Sequence, residues 1–262
     1  MTTTKQCDEC GAIVASENED TFGAAFLAHA REAHSEWSAF PDLAVTNYGE
    51  ALLRLTGRRE RLDSIGPIVV EPVTEERLDD WLSFFDHDGF VGNPAWAGCY
   101  CLEPHRVERG TPPEQVPPQP WQESRAQMVD LLRSGQAFGY LAYVDGRPGG
   151  WVNASRRAAC AMFRLGDTAD PADDDVVSIA CFVIAPPYRR HGLADALLRR
   201  AIDDASIRGV SWVEAYPPTE LRIDDAWNFR GPRALFERHG FEVVGEDGLR
   251  TVMRLAVAPS VS

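Results

Sequence analysis

A short turn between an apolar run and an amphipathic segment carries the residues best suited to chemistry. The run from Val176 to Ala185 is almost entirely apolar, which predicts a strand buried on both faces. Two prolines stop this strand, and apolar spacing then predicts a helix from Gly192 to Ser206. The first N–H groups of a helix lack intrahelical partners and lie at the positive end of its dipole, so they bind anions. Gly192 lets a pyrophosphate approach the backbone closely, and Arg189 and Arg190 add positive charge.

The same turn resembles the acetyl-CoA signature of the GCN5-related N-acetyltransferase (GNAT) superfamily. That signature reads Gln or Arg, two residues, Gly, one residue, then Gly or Ala, and Arg189, Gly192 and Ala194 fill it. The order of predicted elements from about Ile68 to Val257 also resembles that fold. The resemblance implies an α/β fold with a mixed central sheet flanked by helices. It also implies an enzyme that transfers an acetyl group from acetyl-CoA to an amine. The alternative is an ordinary strand-to-helix turn with surface arginines.

The resemblance further implies where the cofactor binds. Main-chain groups at the end of the buried strand are expected to hold the pantetheine arm and the thioester carbonyl, and the turn is expected to cradle the pyrophosphate. Fixed N–H donors near the thioester stabilise the charge that develops during amine attack. The predicted cofactor-binding residues are Phe182, Val183, Ile184, Arg189, Arg190, His191, Gly192, Leu193, Ala194 and Asp195.

Catalytic groups are harder to assign, because an attacking amine must lose a proton and the departing thiolate can gain one. Glu214 lies on a predicted strand from Trp212 to Tyr216 and is the candidate for moving the amine proton, directly or through water. Tyr216 is two residues away, points to the same side of a strand, and is a candidate acid. The alternative is a solvent-facing Glu214, since the sequence does not fix which face it takes.

A later segment keeps the family pattern only in part. Many relatives have a tyrosine in a segment reading Leu-Tyr-Glu-Lys-x-Gly-Phe that protonates coenzyme A, whereas this chain has Phe236 at that position. An asparagine common near this point falls on Phe229, although Asn228 is adjacent. The general acid is therefore unassigned, and a thiol with a pKa of about 8.5 can leave unassisted. The missing hydroxyl also leaves open a non-catalytic acyl-CoA sensor or partner-binding protein.

Four residues near the N-terminus have the types and spacing of a structural zinc site. Cys7 and Cys10 form a Cys-x-x-Cys pair, and His29 and His34 both lie on a helix predicted from Thr21. The segment resembles a small bacterial zinc-finger-like domain of unknown function. The gap between the pairs is longer than in a nucleic-acid finger, and acidic residues dominate the segment, so DNA binding is not expected. In the alternative, these side chains pack without metal.

The remaining cysteines are interpreted as thiols rather than disulfides. If their segment is extended, Cys99 and Cys101 place both thiols on the same face, and His105 lies close in the sequence. This arrangement allows a metal or redox site. The favoured interpretation is that these side chains pack in the core or form part of the wall of the substrate site. Cys160 and Cys181 fall in predicted strands and are expected to be small buried side chains. Six cysteines without a signal peptide do not indicate a disulfide framework.

Charge limits the partners that the chain can bind. The net charge is −14 with a pI near 4.8, which repels nucleic acid and anionic lipid and attracts a cationic amine. The alternative is that acidity only keeps the protein soluble. No apolar run of transmembrane length occurs, so a cytoplasmic protein that binds neither membrane nor nucleic acid is predicted. The acceptor is expected to be a small cationic amine or an amine of a protein, and the oligomeric state is left open.

The organisation predicted along the chain has three parts. Residues 1–45 form the zinc-finger-like module, 46–66 a helical linker, and 67–262 the acetyltransferase domain. Within the linker a helix is predicted from about Tyr48 to Arg58. Within the acetyltransferase domain a strand is predicted from Gly150 to Phe163.

Overall fold

A mixed seven-stranded sheet forms the centre of the protein. We describe it from a computed structural model, which covers residues 1–167, 169–220, 228–248 and 250–257. Its strand order is β3-β4-β5-β6-β7-β9-β8, in which β6 and β7 are parallel and all other neighbours are antiparallel. The strands of this sheet are β3 (Ile68–Pro72), β4 (Gly139–Val144), β5 (Arg147–Arg156), β6 (Val176–Ile184), β7 (Trp212–Ala215), β8 (Glu242–Asp247) and β9 (Arg250–Ala256).

Helices cover both faces of the sheet. The α-helices in the described part of the chain are α1 (Phe22–Ala33), α2 (Asp42–Arg54), α3 (Leu78–Ser83), α4 (Glu103–Arg106), α5 (Trp121–Arg133), α6 (Leu193–Ile207) and α7 (Arg233–Arg238). One face packs on α6 and α7 through a core that includes Val152, Leu197 and Phe236. The other face packs on α3 and α5 through Trp81, Met128 and Trp151. Within the described ranges no helix is long and apolar enough to span a bilayer.

The N-terminal residues form a small unit of their own. Strands β1 (Thr3–Gln6) and β2 (Ile13–Ser16) make an antiparallel hairpin, and α1 packs against it. Phe22 and Phe26 fill the space between them and are fully buried. The hairpin followed by a helix brings the predicted metal ligands to one end of this unit.

Helix α2 belongs to both hydrophobic cores. Its Val45 and Leu52 pack in the N-terminal core, whereas Ala51 packs in the core beside α3. At its end, Arg54 Nη1 donates a hydrogen bond to the hydroxyl of Tyr100 at 2.8 Å. The predicted boundary at residues 45 and 46 therefore falls inside one continuous helix.

Two predicted elements differ from the observed ones. Helix α2 begins at Asp42, directly after Pro41, and ends at Arg54, so residues 55–66 of the predicted helical linker are not helical. Strand β5 ends at Arg156 rather than near Phe163. The next residue, Arg157, forms buried ion pairs with Asp173 and Glu214. It begins a 3₁₀ turn, so the strand ends there. Residues 258–262 of the predicted domain lie outside the described residues.

Candidate active site and metal centre

The turn after β6 joins a buried strand to a helix, which is the order of elements that the sequence predicted. Strand β6 ends at Ile184, a short 3₁₀ turn covers Pro186–Tyr188, and α6 begins at Leu193. Gly192 has φ of 88° and Arg190 has φ of 64°, so both are left-handed. A Cβ at Gly192 would meet no atom within 4 Å, so the backbone conformation rather than crowding favours glycine. The free end of α6 therefore presents its first N–H groups to whatever lies over the turn.

Two side chains of the turn donate hydrogen bonds to main-chain carbonyl groups. Arg189 Nε donates to the carbonyl of Ile184 at 3.1 Å, and His191 Nε2 donates to the carbonyl of Leu62 at 2.8 Å. The remaining anion-binding groups of His191 are thus its main-chain ones. The turn is held from two sides, by the end of β6 and by the segment before β3.

Asp195, on the first turn of α6, lies among positive groups. Its carboxylate is 3.0 Å from His239 Nε2 and 3.4 Å from Arg238 Nη2. Burial would raise the pKa of Asp195, but hydrogen bonds from His239 and Arg238 outweigh it and hold the pKa below its ordinary value. Asp195 therefore anchors α7 against the start of α6, and its charge is matched by these neighbours.

Strands β6 and β7 separate where the predicted pantetheine groups lie. Their pairing runs from Val176 to Ile179 of β6 and stops there. A register shift between β5 and β6 falls at the same level, which places an extra residue, Ala180, in β6. The edge of β6 beyond Ala180 is thus open toward β7, as a cofactor arm along this strand requires.

The segment of Phe229 and Arg230, which precedes α7, occupies this opening. The N–H of Phe182 donates to the carbonyl of Phe229 at 2.6 Å, and Arg230 Nη1 donates to the carbonyl of Ala180 at 2.9 Å. The Arg230 guanidinium is buried and lies over the ring of Phe163. Burial lowers the pKa of Arg230 to about 10. Protein groups therefore satisfy this strand edge, which no local sequence pattern indicated.

Glu214 lies in a buried ion-pair network rather than facing solvent. It is 2% exposed, and its Oε1 accepts hydrogen bonds from Arg157 Nη1 at 2.9 Å and Arg254 Nε at 2.8 Å. A buried carboxylate held by two guanidinium groups is suited to a structural role, and this arrangement does not favour the predicted role in moving the amine proton.

Tyr216 lies on the same side of the sheet as Glu214, as the two-residue spacing predicted. Its hydroxyl donates to Glu214 Oε2 at 2.9 Å and is 2.8 Å from Ser178 Oγ. Its ring stacks on Phe163 with centroids 3.7 Å apart. Burial and then the charge of Glu214 raise the pKa of Tyr216 well above its ordinary value, so the hydroxyl stays protonated. Tyr216 directly follows the last paired residue of β7, Ala215, at the mouth of the opening.

A comparison with known families decides what this arrangement is. A family model described as the acetyltransferase (GNAT) family matches residues 102–241, which is more than half of the chain. The chain belongs to the GNAT acetyltransferase family. The family resemblance, the enzyme class and the α/β fold class predicted from the sequence are thereby confirmed.

Solved structures similar to the acetyltransferase share little sequence with it. An N-acetyltransferase from Staphylococcus aureus Mu50 is 14% identical with a TM-score of 0.46, covering 74% of this chain and 100% of that one. The GNAT domain of S. lividans PAT is 15% identical with a TM-score of 0.44, covering 73% and 92%. The PaiA N-acetyltransferase from Thermoplasma acidophilum, in complex with coenzyme A, is 12% identical with a TM-score of 0.42, covering 72% and 99%. None of the curated proteins compared with the chain matches it. Family membership therefore rests on the family model.

The N-terminal cluster of the acetyltransferase fits a tetrahedral metal. One donor atom each from Cys7, Cys10, His29 and His34 lies within 4.8 Å of the others. Cys7 Sγ is 3.5 Å from His34 Nε2, and Cys10 Sγ is 3.5 Å from His29 Nε2. Zinc with sulfur ligands at about 2.3 Å and nitrogen ligands at about 2.0 Å places its ligand atoms roughly 3.5 Å apart. The donor set and the spacing both suit zinc.

The other cysteines of the acetyltransferase correct one prediction. Cys101 and Cys181 form a disulfide with their Cα atoms 7.1 Å apart, whereas free thiols or metal ligands were predicted. Both are buried, and a local sequence pattern cannot show a pairing between residues 80 positions apart. Cys160 is buried as predicted but lies after a 3₁₀ turn rather than in a strand. Among the residues with described placement, no metal cluster includes Cys99.

Sequence reasoning missed a polar group at the bulge of the acetyltransferase. His105, considered only with the cysteines, donates from Nδ1 to the carbonyl of Ala159 at 2.9 Å, and Asn153 Nδ2 is 3.0 Å from its Nε2. Asn153 is fully buried and lies next to the register shift in β5. Burial lowers the pKa of His105. A buried asparagine in an apolar strand sequence was the only signal that could have drawn attention to it.

A cluster of arginines that was not predicted lies beside the turn after β6, which we call the cofactor turn (residues 185–192). Arg59 and Arg61, in the segment between α2 and β3, line a cavity with Pro186, Arg189 and Arg190. The sequence carried a signal for it, because three arginines within four residues stand out in a chain of net charge −14.

Proposed function

We propose that the protein transfers the acetyl group of acetyl-CoA to a primary amine of a small cationic molecule or of a protein. The observation that carries this proposal is the turn in which left-handed Gly192 opens the start of α6 directly after β6. In this proposal the pyrophosphate binds the main-chain amides of residues 190–195. The pantetheine arm then runs back along Phe182, Val183 and Ile184.

Cofactor binding along β6 must displace the protein group already there. The N–H of Phe182 bonds to the carbonyl of Phe229, and a pantetheine carbonyl would take its place. An exchange of one hydrogen bond for another keeps this buried N–H satisfied. We propose that the segment around Phe229 and Arg230 moves outward when acetyl-CoA binds.

Tyr216 is the proposed donor to the departing sulfur. Its protonated hydroxyl lies at the end of the β6–β7 pairing, where the two strands separate. A hydroxyl held neutral can donate a hydrogen bond to negative charge that develops on the thiolate or thioester oxygen. In the structure this single proton is donated to Glu214, so the hydroxyl must turn from Glu214 toward the sulfur when the thiolate forms. Glu214 is proposed to hold the hydroxyl in place before that step, and Arg157 and Arg254 remain as partners of the carboxylate.

The net charge supports the proposed class of acceptor. A chain with a net charge of −14 attracts cations and repels anions, and most amines carry a positive charge before they react. The amine must lose a proton before attack, and the bulk solvent or a bound water can receive it. A polyamine, an aminoglycoside-like compound and a lysine side chain all satisfy this description.

The N-terminal cluster is proposed to hold a structural zinc ion. Four protein ligands leave no open position for a substrate, which is typical of structural sites. We propose that residues 1–45 form this module and that 67–262 form the catalytic domain. The module and the domain would be fixed to each other through α2, which packs in both cores.

Calorimetric titration with acetyl-CoA, followed by a thiol-release assay on a panel of amines, tests the proposed function. Gly192→Glu should abolish binding because it places a carboxylate and a strained backbone at the anion site. Gly209→Glu is the matched control, since Gly209 is also left-handed and open but lies at the other end of α6. Loss of binding in the first variant alone, together with turnover of at least one amine, supports the proposal. Binding without turnover on any amine would favour the acyl-CoA sensor, and no binding by the unmodified protein would refute both.

A further inference from the structure

A cavity lined by four arginines opens beside the cofactor turn. Its volume is about 650 Å³, and its lining consists of Arg59, Arg61, Pro186, Arg189 and Arg190. Two of these arginines belong to the turn itself. The other two come from the segment that joins α2 to β3.

This concentration of positive charge runs against the composition of the chain. Acidic residues outnumber lysine and arginine by 40 to 26, yet all four charged residues in the lining are arginines. One of them, Arg59, also pairs with the carboxylate of Asp8 at 2.9 Å, which lies outside the lining. Arginine presents a planar fork of donors that matches the oxygens of a phosphate. The lining is therefore suited to a phosphate group.

The joining segment is held against the turn by main-chain contacts. The N–H of Leu62 donates to the carbonyl of Pro187 at 3.0 Å, and the carbonyl of Leu62 accepts from His191 Nε2 at 2.8 Å. Leu62 follows Arg61 directly. These two bonds fix the arginines of the segment at the side of the turn.

Acyl-CoA has one phosphate that the turn does not account for. If the main-chain amides of residues 190–195 hold the pyrophosphate, the 3′-phosphate of the ribose has no assigned partner. A phosphomonoester carries a charge of about −1.5 to −2 at neutral pH, which is more than either single phosphate of the pyrophosphate carries. A cavity of arginines next to the pyrophosphate site matches it in charge and place.

We propose that Arg59 and Arg61 bind the 3′-phosphate of acyl-CoA. This assignment rests on the proposed function, because it presupposes that acyl-CoA occupies the turn. It adds to the cofactor site two residues that lie before the sheet, outside the strand-turn-helix unit. It also makes the joining segment a determinant of specificity for coenzyme A over its dephosphorylated form.

The test compares two probes, coenzyme A and 3′-dephospho-coenzyme A, by calorimetric titration. The double variant Arg59→Ala/Arg61→Ala should lose about tenfold or more in affinity for coenzyme A, the loss expected for hydrogen bonds to a charged group. Its affinity for the dephosphorylated probe should be unchanged. Arg58→Ala is the matched control, because Arg58 lies in the same segment and is exposed but does not line the cavity. Thermal melting confirms that each variant is folded.

Other results would overturn the assignment. If the double variant lost the same affinity for both probes, these arginines would contact a part of the cofactor other than the 3′-phosphate. No loss for either probe would remove them from the site while leaving the proposed function intact. If the unmodified protein bound neither probe, the proposed function itself would fail along with this assignment.

Discussion

The carboxylate of Asp8 lies 2.9 Å from the guanidinium of Arg59. Asp8 falls between Cys7 and Cys10 of the metal cluster, and Arg59 lines the cavity beside the cofactor turn. The two candidate sites are therefore joined by one ion pair. An exposed pair of this kind contributes little stability, so its effect is to position Arg59.

Removal of the metal should weaken cofactor binding to a small extent. Without an ion to hold Cys7 and Cys10, the turn that carries Asp8 loosens and Arg59 loses its fixed position. We expect treatment with a zinc chelator to lower the affinity for coenzyme A by a few-fold, measured by calorimetry. In the Arg59→Ala/Arg61→Ala variant the chelator should have no such effect, and an equal effect there would contradict the link.

The metal itself can be counted. Native mass spectrometry should find one zinc ion per chain, because the cluster supplies four ligands of suitable type. Cys10→Ser should abolish it, whereas Cys99→Ser should retain it, since Cys99 lies outside the cluster. Zinc retained in the first variant would argue against the site.

Tyr216→Phe should slow the reaction while leaving the fold intact. Removing one donor to developing negative charge typically costs about 10²-fold in kcat. Tyr140→Phe serves as the control, since Tyr140 is equally buried but packs on the α6 face of the sheet. Steady-state kinetics with acetyl-CoA and an accepted amine measure both. An unchanged kcat in the first variant would remove Tyr216 from the mechanism.

Glu214→Gln should act on stability more than on chemistry. The buried carboxylate balances Arg157, which is fully buried, and breaking such a pair costs about 3–5 kcal/mol. Urea unfolding should therefore show a large loss in the free energy of unfolding. If stability were unchanged and turnover vanished, Glu214 would instead be a catalytic base.

Arg230→Ala should tighten the binding of acetyl-CoA. Arg230 bonds to the carbonyl of Ala180 and helps to keep Phe229 on the edge of β6. A bound state that must first displace this segment has a lowered apparent affinity, so weakening the segment raises it. Calorimetry should show a several-fold gain for Arg230→Ala and none for Arg250→Ala, which removes another arginine close to Phe163. A weaker affinity in Arg230→Ala would mean that Arg230 binds the cofactor instead.

His105 should make stability depend on pH. Burial lowers its pKa in the folded protein, so the unfolded chain takes up a proton first as the pH falls. The free energy of unfolding should therefore fall as the pH drops below the unfolded pKa of about 6.5, by at most about 1.4 kcal/mol per pH unit. The decline ends once the pH passes below the folded pKa. Urea unfolding at about pH 7.5 and about pH 5.5 should show a larger decline than in His105→Gln, and equal declines would contradict the assignment.

The local pattern was enough to predict the turn after β6 and the donor set of the metal cluster. The helix predicted from Gly192 to Ser206 is observed as α6, Leu193–Ile207, because apolar spacing and a glycine at the helix start are local signals. The end of α2 and the end of β5 were predicted wrongly. Both ends depend on contacts with distant residues: Leu55 packs against the main core, and Arg157 pairs with Glu214 across the sheet.

The sequence by itself determined that the chain has a turn with a glycine between a buried strand and a helix, and four Cys and His side chains with the spacing of a metal site. Only the tertiary structure decided that Glu214 is held by two arginines, that Phe229 covers the edge of β6, and that Arg59 lies beside Arg190. The turn and the spacing of the Cys and His side chains depend on backbone geometry over a few residues, so residue type and spacing indicate them directly. The other three features depend on which distant side chains meet when the apolar faces are buried, and hydrophobic burial is non-directional, so no local pattern specifies those meetings.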